Sequence, residues 1–227
     1  METEIKERGI IYESPAPIWQ AEKRFVIPSV SYRGKTGNYR LFEQMTPKMS
    51  QAKLAELYES EKQKGNPYPT DMPLIWAIAT KGYELRNENS LEAEKLRQFL
   101  RTGFRQYPNT LTRIIYNPSE KDKIIHNYKT SDEYSFDSKV VGPDSFIDKL
   151  ADMNVLEQIL GTKDVIKINE VSQWINRTNS FIWRLNSKPS QKEERVARFV
   201  AYGSRLYLDC DGDPLYGDPA FRVLKVD

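Results

Sequence analysis

Asp209, Asp211 and Asp213 place three carboxylates within five residues, the spacing at which an EF-hand calcium loop begins, with oxygens at its first, third and fifth positions. The pattern then departs from such a loop. Its sixth position is Pro214 instead of Gly, its twelfth is Ala220 instead of a bidentate Glu, and its flanks are not helical in character. Calcium held in another geometry is weighed against solvated carboxylates, and the solvated reading is preferred; no metal or cofactor is expected. Cys210, in the same stretch, is the only thiol, and His126 is the only imidazole. One cysteine excludes an intramolecular disulfide framework and any CxxC zinc knuckle. His126 lies in the alternating run Lys123 to Tyr128 with no neighbouring Cys, Asp or Ser elbow, and reads as a structural or surface histidine. No catalytic residue is expected, and the chain is read as not an enzyme.

The elements that must carry these residues belong to a chain of 227 residues, enough to bury a core unaided. The net charge of +2 is too balanced to advertise nucleic acid as a partner. No apolar run approaches the length of a membrane span. Residues 1 to 9 are charged and contain no secretory signal, so export is expected only by assembly into something larger.

Residues 1–48, punctuated by Ser14-Pro15-Ala16-Pro17, Ile27-Pro28, Arg33-Gly34 and Thr46-Pro47, read as an arm of short strands and turns. The remainder, 49–227, reads as one domain. A helix is predicted over about 50–64, stopped by Gly65-Asn66-Pro67. A second runs over about 90–107, where Leu96, Phe99, Leu100, Gly103, Phe104 and Tyr107 recur at helical spacing behind an Asn89 or Ser90 cap. Met72 to Leu85 is expected to be buried, with its conformation left open. Short strands are expected at 111–116, 123–128 and 134–141, the last two separated by Thr130-Ser131-Asp132. A helix capped by Asp144 or Ser145 should follow to Gly161, with another turn or two from Asn169 to Ile175. Strands and loops finish the chain. The order gives an α+β class: two or more helices packed on short antiparallel strands, with a loop-rich C-terminal segment.

Residues 196–224 have a composition of their own. Lys, Glu, Gln, Met and Trp are absent, although they form about a quarter of the chain, so that roughly seven would be expected in this window. Tyr, Asp, Gly and Ser dominate instead, residues that suit a binding surface because Tyr offers large contact area at low rotamer cost.

Ser180-Phe181-Ile182-Trp183-Arg184-Leu185-Asn186, then Arg195-Val196-Ala197-Arg198-Phe199, the Asp/Gly/Tyr-rich stretch and the closing Pro219-Ala220-Phe221-Arg222-Val223-Leu224 together resemble the C-terminal half of diversity-generating retroelement variable proteins. The similarity is to the archaeal and archaeal-virus branch and covers residues 180–227. Here Ala-Phe-Arg stands where the family often has Gly-Phe-Arg. The resemblance implies a C-type lectin-type fold, related to that of formylglycine-generating enzymes, whose chemistry uses paired cysteines that this chain lacks. In such systems adenines of a template are copied with errors, and asparagine codons so mutated never yield the five residue types missing here.

The resemblance also implies roles. Tyr202, Gly203, Ser204, Tyr207, Asp209, Asp211, Gly212, Asp213, Leu215, Tyr216, Gly217 and Asp218 become the diversified, ligand-binding positions, with Tyr202, Tyr207 and Tyr216 as anchors. Trp183, Arg198, Phe199, Pro214, Pro219, Phe221 and Arg222 become scaffold. The implied function is a hypervariable display protein for attachment to a host or neighbouring cell, from a virion or cell surface, its ligand a protein. A calcium-dependent glycan-binding C-type lectin module is the alternative.

Overall fold

In the computed structural model, residues 9–13, 23–127 and 133–226 are described. The turns expected at Ser14-Pro15-Ala16-Pro17 and Thr130-Ser131-Asp132, and Tyr128, lie outside them. Five strands, β1 (Ile11–Glu13), β2 (Arg24–Tyr32), β3 (Lys35–Phe42), β4 (Tyr68–Pro69) and, from the end of the chain, β12 (Arg222–Val226), form one sheet ordered β1-β2-β3-β12-β4. The second sheet runs β7-β6-β5-β10-β11-β9-β8. Its members are β5 (Arg113–Tyr116), β6 (Asp122–Ile125), β7 (Glu133–Phe136), β8 (Ser145–Phe146), β9 (Ser180–Trp183), β10 (Glu193–Tyr202) and β11 (Arg205–Gly212). Helices α1 (Gln51–Gln63), α2 (Met72–Glu84), α3 (Ser90–Phe104), α4 (Ser138–Val141), α5 (Asn154–Leu160) and α6 (Val165–Asn176) complete a mixed α+β arrangement.

Helix α2 occupies the segment whose conformation the sequence left open. Its apolar residues surround the helix: Met72, Leu74, Ile75, Trp76, Ile78 and Ala79 are all buried. A helix enclosed on several sides has no single stripe for periodicity to reveal. Its start is well specified, since the Asp71 carboxylate accepts from Leu74 N at 2.9 Å and Pro73 stands in the first turn. Helix α3 carries Gly103 because the ring of Phe221 lies against it; a Cβ there would stand 2.3 Å from Phe221 Cζ. Phe221 meets Phe99 and Phe104 edge-on at centroid distances of 5.6 and 5.5 Å, which ties the last strand to this helix. Phe199 of β10 adds Trp76 and Phe104 at 4.9 and 5.6 Å.

Four expectations are corrected. Residues 24–42 are not an arm outside the domain: β3 pairs antiparallel with both β2 and β12, and Phe25, Ile27, Val30 and Leu41 are wholly buried. The helix expected over 144–161 is confined to α5; Ser145 and Phe146 instead pair with Ile182 and Phe181, and Gly161, at φ 77°, ends the helix in the left-handed region. The strand expected over 134–141 stops at Phe136, where Asp137 caps the short α4. The C-terminal segment is a hairpin of ten- and eight-residue strands rather than mainly loop, and β11 pairs parallel with β9 although antiparallel strands were expected.

Candidate functional site

The β10–β11 hairpin builds the site through its period-two alternation. Leu206, Leu208, Cys210 and Gly212 face inward and are buried, whereas Tyr207, Asp209 and Asp211 face outward. Register aligns these with neighbouring strands: Val200, Tyr207 and Phe181 form one cross-strand row, and Arg198, Asp209 and Trp183 form the next. Tyr202 stands opposite Arg205 at the hairpin end. Together Tyr107, Trp183, Arg198, Val200, Tyr202, Tyr207, Asp209 and Asp211 line a cleft of about 380 Å³, within the range of small ligand sites.

Aromatic rings extend the face beyond the cleft. Phe181 packs edge-on between Tyr207 at 5.6 Å and Phe146 at 5.4 Å, and the Arg205 guanidinium lies 4.7 Å from the Phe181 ring centre. Tyr202 is 65 % exposed and Trp183 43 %, a large outlay of aromatic surface to water.

Arg198 clamps the floor. Its Nε donates to Asp209 Oδ2 at 2.9 Å, and its Nη1 donates to Asp218 Oδ2 at 2.9 Å and to the Tyr107 carbonyl at 3.1 Å. Four chain segments are joined through one guanidinium, whose planar fork suits two carboxylates at once. Asp211 is likewise held, by Arg195 Nε at 3.0 Å. The carboxylates that suggested calcium are therefore paired with arginines at two of three positions. Among the described residues no group of three or more His, Cys, Asp or Glu side chains is placed to hold a metal ion.

The segment after the hairpin is held by its backbone. Asn109, wholly buried, donates from Nδ2 to the carbonyls of Tyr216 at 3.2 Å and Met49 at 3.3 Å. Gln51 N donates to Pro214 O at 3.0 Å, Met49 N to Asp218 O at 3.2 Å, and Asn109 N to Pro219 O at 2.8 Å. These bonds leave the side chains of Leu215 and Tyr216 free to project, 81 % and 66 % exposed. Asp213 caps this turn through Leu215 N, and Gly217 is exposed with room for a side chain.

Several expected roles are corrected. Gly212 is buried, and an added Cβ would meet Val196 O at 2.9 Å, so it cannot be exchanged freely. Gly203 occupies the two-residue hairpin turn at φ 58°, a conformation that disfavours other residues there, while its neighbour Ser204 is exposed. Asp209 and Asp218 are partners of Arg198 rather than solvated side chains. Trp183, expected as scaffold, instead lines the cleft. Cys210 lies in the core, not in a loop, and burial pushes its thiol well above the usual range, the opposite of nucleophile activation. Phe199, Pro219 and Phe221 are buried, and Arg222 donates to Gln44 O at 3.3 Å beside the Phe42 ring.

His126 is a buried latch: Nδ1 lies 2.9 Å from Thr112 Oγ1 and Nε2 lies 2.7 Å from Gln158 O. Thr112 Oγ1 also accepts from Met72 N at 2.9 Å, which fits a neutral ring donating from Nε2 to the carbonyl. Tyr107, Phe146, Phe181, Arg205 and Asn109 belong to the site or its support, although the sequence reading assigns none of them a site role and expects Tyr107 in the stripe of a helix. The positive φ of Tyr107, 55°, reflects a backbone conformation no sequence pattern announces. No protein-family model matches this chain, and neither a curated protein nor a solved structure gives a match.

Proposed function

We propose that this protein is a non-catalytic ligand-binding protein of the diversity-generating retroelement type, displaying the β10–β11 face and the turn after it for attachment to a protein on a host or neighbouring cell, from a virion or cell surface. One observation carries the reading: the exposed side chains of Trp183, Tyr202, Leu215 and Tyr216 project from a backbone whose position is set by the buried face of the hairpin, the Arg198 clamp and Asn109, not by those side chains. That separation is what an exchangeable binding surface requires, and Tyr and Trp are the residues that anchor protein interfaces. A C-type lectin-type fold belongs to the same proposal; the pairing of β12 with the N-terminal β3, bringing the two ends of the chain into one sheet, favours it.

The decisive test is the gene itself. The expected finding is a nearby reverse transcriptase and a template repeat that differs from the codons for 196–224 at adenines; a locus with neither refutes the retroelement reading. Exchange of Tyr202, Ser204, Tyr207, Leu215 and Tyr216 together should alter stability by less than about 1 kcal/mol while changing the bound partner. Unfolding of such variants would remove the display function.

A further inference from the structure

A second cleft lies away from the hairpin, between the β2–β3 turn, helix α1 and strand β12. It has a volume of about 380 Å³ and is lined by Tyr32, Arg33, Lys35, Tyr39, Tyr58, Lys62, Tyr68, Asp71 and Lys225, among others. Four cationic residues therefore face one carboxylate. That carboxylate is already engaged: Asp71, its side chain wholly buried, receives Tyr32 Oη at 2.6 Å, Arg33 Nη2 at 3.1 Å and Leu74 N at 2.9 Å. Lys35, Lys62 and Lys225 have no ion pair with any acid among the described residues; Lys62 donates to Tyr58 Oη.

Three details make this a built site rather than a basic surface. Arg33 adopts φ 51° beside Gly34 at φ 71°, a two-residue turn with both central residues left-handed, where Asn or Gly is favoured and an arginine is strained. Lys225 lies across Gly37, where a Cβ would stand 2.9 Å from Lys225 Cε, so the missing side chain leaves space for the lysine stem. Tyr58 and Tyr68 meet edge-on at 5.3 Å and form an aromatic wall.

We propose that this cleft binds a small organic phosphate: the ammonium groups of Lys35, Lys62 and Lys225, which have no ion pair among the described residues, take the phosphate and the tyrosines pack the organic part. Ammonium groups are natural phosphate partners, and each charge-assisted bond is stronger than a neutral one. The site is separate from the hairpin face and does not depend on its function.

Titration calorimetry on the full chain, with phenyl phosphate, inorganic phosphate and phenol as probes, tests it. Saturable binding of phenyl phosphate, tighter than of inorganic phosphate and absent for phenol, is expected. Lys35→Met, Lys62→Met and Lys225→Met should each weaken it by about tenfold, the effect of one lost charge-assisted bond, with melting temperatures showing that each variant folds. Lys149→Met, at an exposed lysine elsewhere, should leave it unchanged. Equal affinity for the two phosphates overturns the role of the tyrosines. No saturable binding up to about 10 mM, or binding indifferent to all three substitutions, overturns the site.

Discussion

Replacing Arg198 with Met keeps an apolar stem of similar length and deletes the guanidinium that joins β10, β11, the segment before β12 and the turn after α3. Three hydrogen bonds are lost, two of them to carboxylates. Charge-assisted bonds contribute about 1.5–3 kcal/mol each, and breaking a fully buried pair costs more because a charge is stranded. The side chains of Asp209 and Asp218 retain 13 % and 21 % exposure, so water partly compensates them and the lower figure applies to each. The expected loss is about 3 kcal/mol, a sizeable fraction of the 5–15 kcal/mol available to a typical domain. Urea denaturation should show the midpoint falling by about 1 M at unchanged slope, with a slope near 3 kcal/mol/M for a chain of this size. Arg198→Lys should recover only part of this, because an ammonium is a single point and cannot fork to two carboxylates. In a double-mutant cycle, Asp218→Asn should cost little once Arg198 is gone. A loss below about 1 kcal/mol for Arg198→Met, or full recovery with lysine, would refute the clamp.

Gly212→Ala should destabilise the protein by about 1–2 kcal/mol despite the usual entropic gain, since the Val196 carbonyl and Arg198 leave no room; a melting temperature at or above that of the parent contradicts this. Gly103→Ala should gain about 1 kcal/mol of helix propensity and lose more to the Phe221 ring, for a net loss seen in thermal melts, and Phe221→Leu in the same chain should reduce the cost of the added methyl. Hydrogen bonding to Arg97 holds the Glu94 carboxyl down to about 2. A depressed carboxylate stabilises above its unfolded value and loses that contribution as pH falls through the folded one. Because Glu94 is half-exposed, Glu94→Gln should cost only about 0.5 kcal/mol at neutral pH, vanishing near pH 2; a difference persisting there rejects the pairing.

Local patterns were readable in the residues, and distant partners were not. Helix α1 follows from its helix formers and the Gly65-Asn66-Pro67 stop just beyond it, and α3 from the spacing of its apolar residues, although it ends at Phe104 and leaves Tyr107, expected within it, in the segment that follows. Strands β2 and β3 look like an arm in the sequence because β12, which pairs with β3 and closes their sheet, lies about 180 residues further along the chain, and no local pattern records that pairing. Ser145 and Phe146 have acceptable helix-start chemistry, but pairing with β9 prevailed, as tertiary context routinely overrides propensity. At the site, the concentration of Tyr and Asp over 202–218 was visible from composition. That composition also conceals the alternation of Leu206, Leu208 and Cys210 with Tyr207, Asp209 and Asp211, so a strand has the look of a loop. Trp183 and Tyr107 reach the cleft through strand register and a left-handed backbone residue, neither of which has a signature in one sequence.

The inward set of β11 also constrains how this gene can change. Substitution at an outward position replaces one contact and leaves the next residue where it was. Insertion or deletion of a single codon between 206 and 211 would turn the remainder of the strand over, sending carboxylates toward the helices and Leu208 or Cys210 into water. Variation in this strand is therefore tolerable only if it conserves length, and a copying process that changes bases without slipping is the kind of mutagenesis this hairpin can survive.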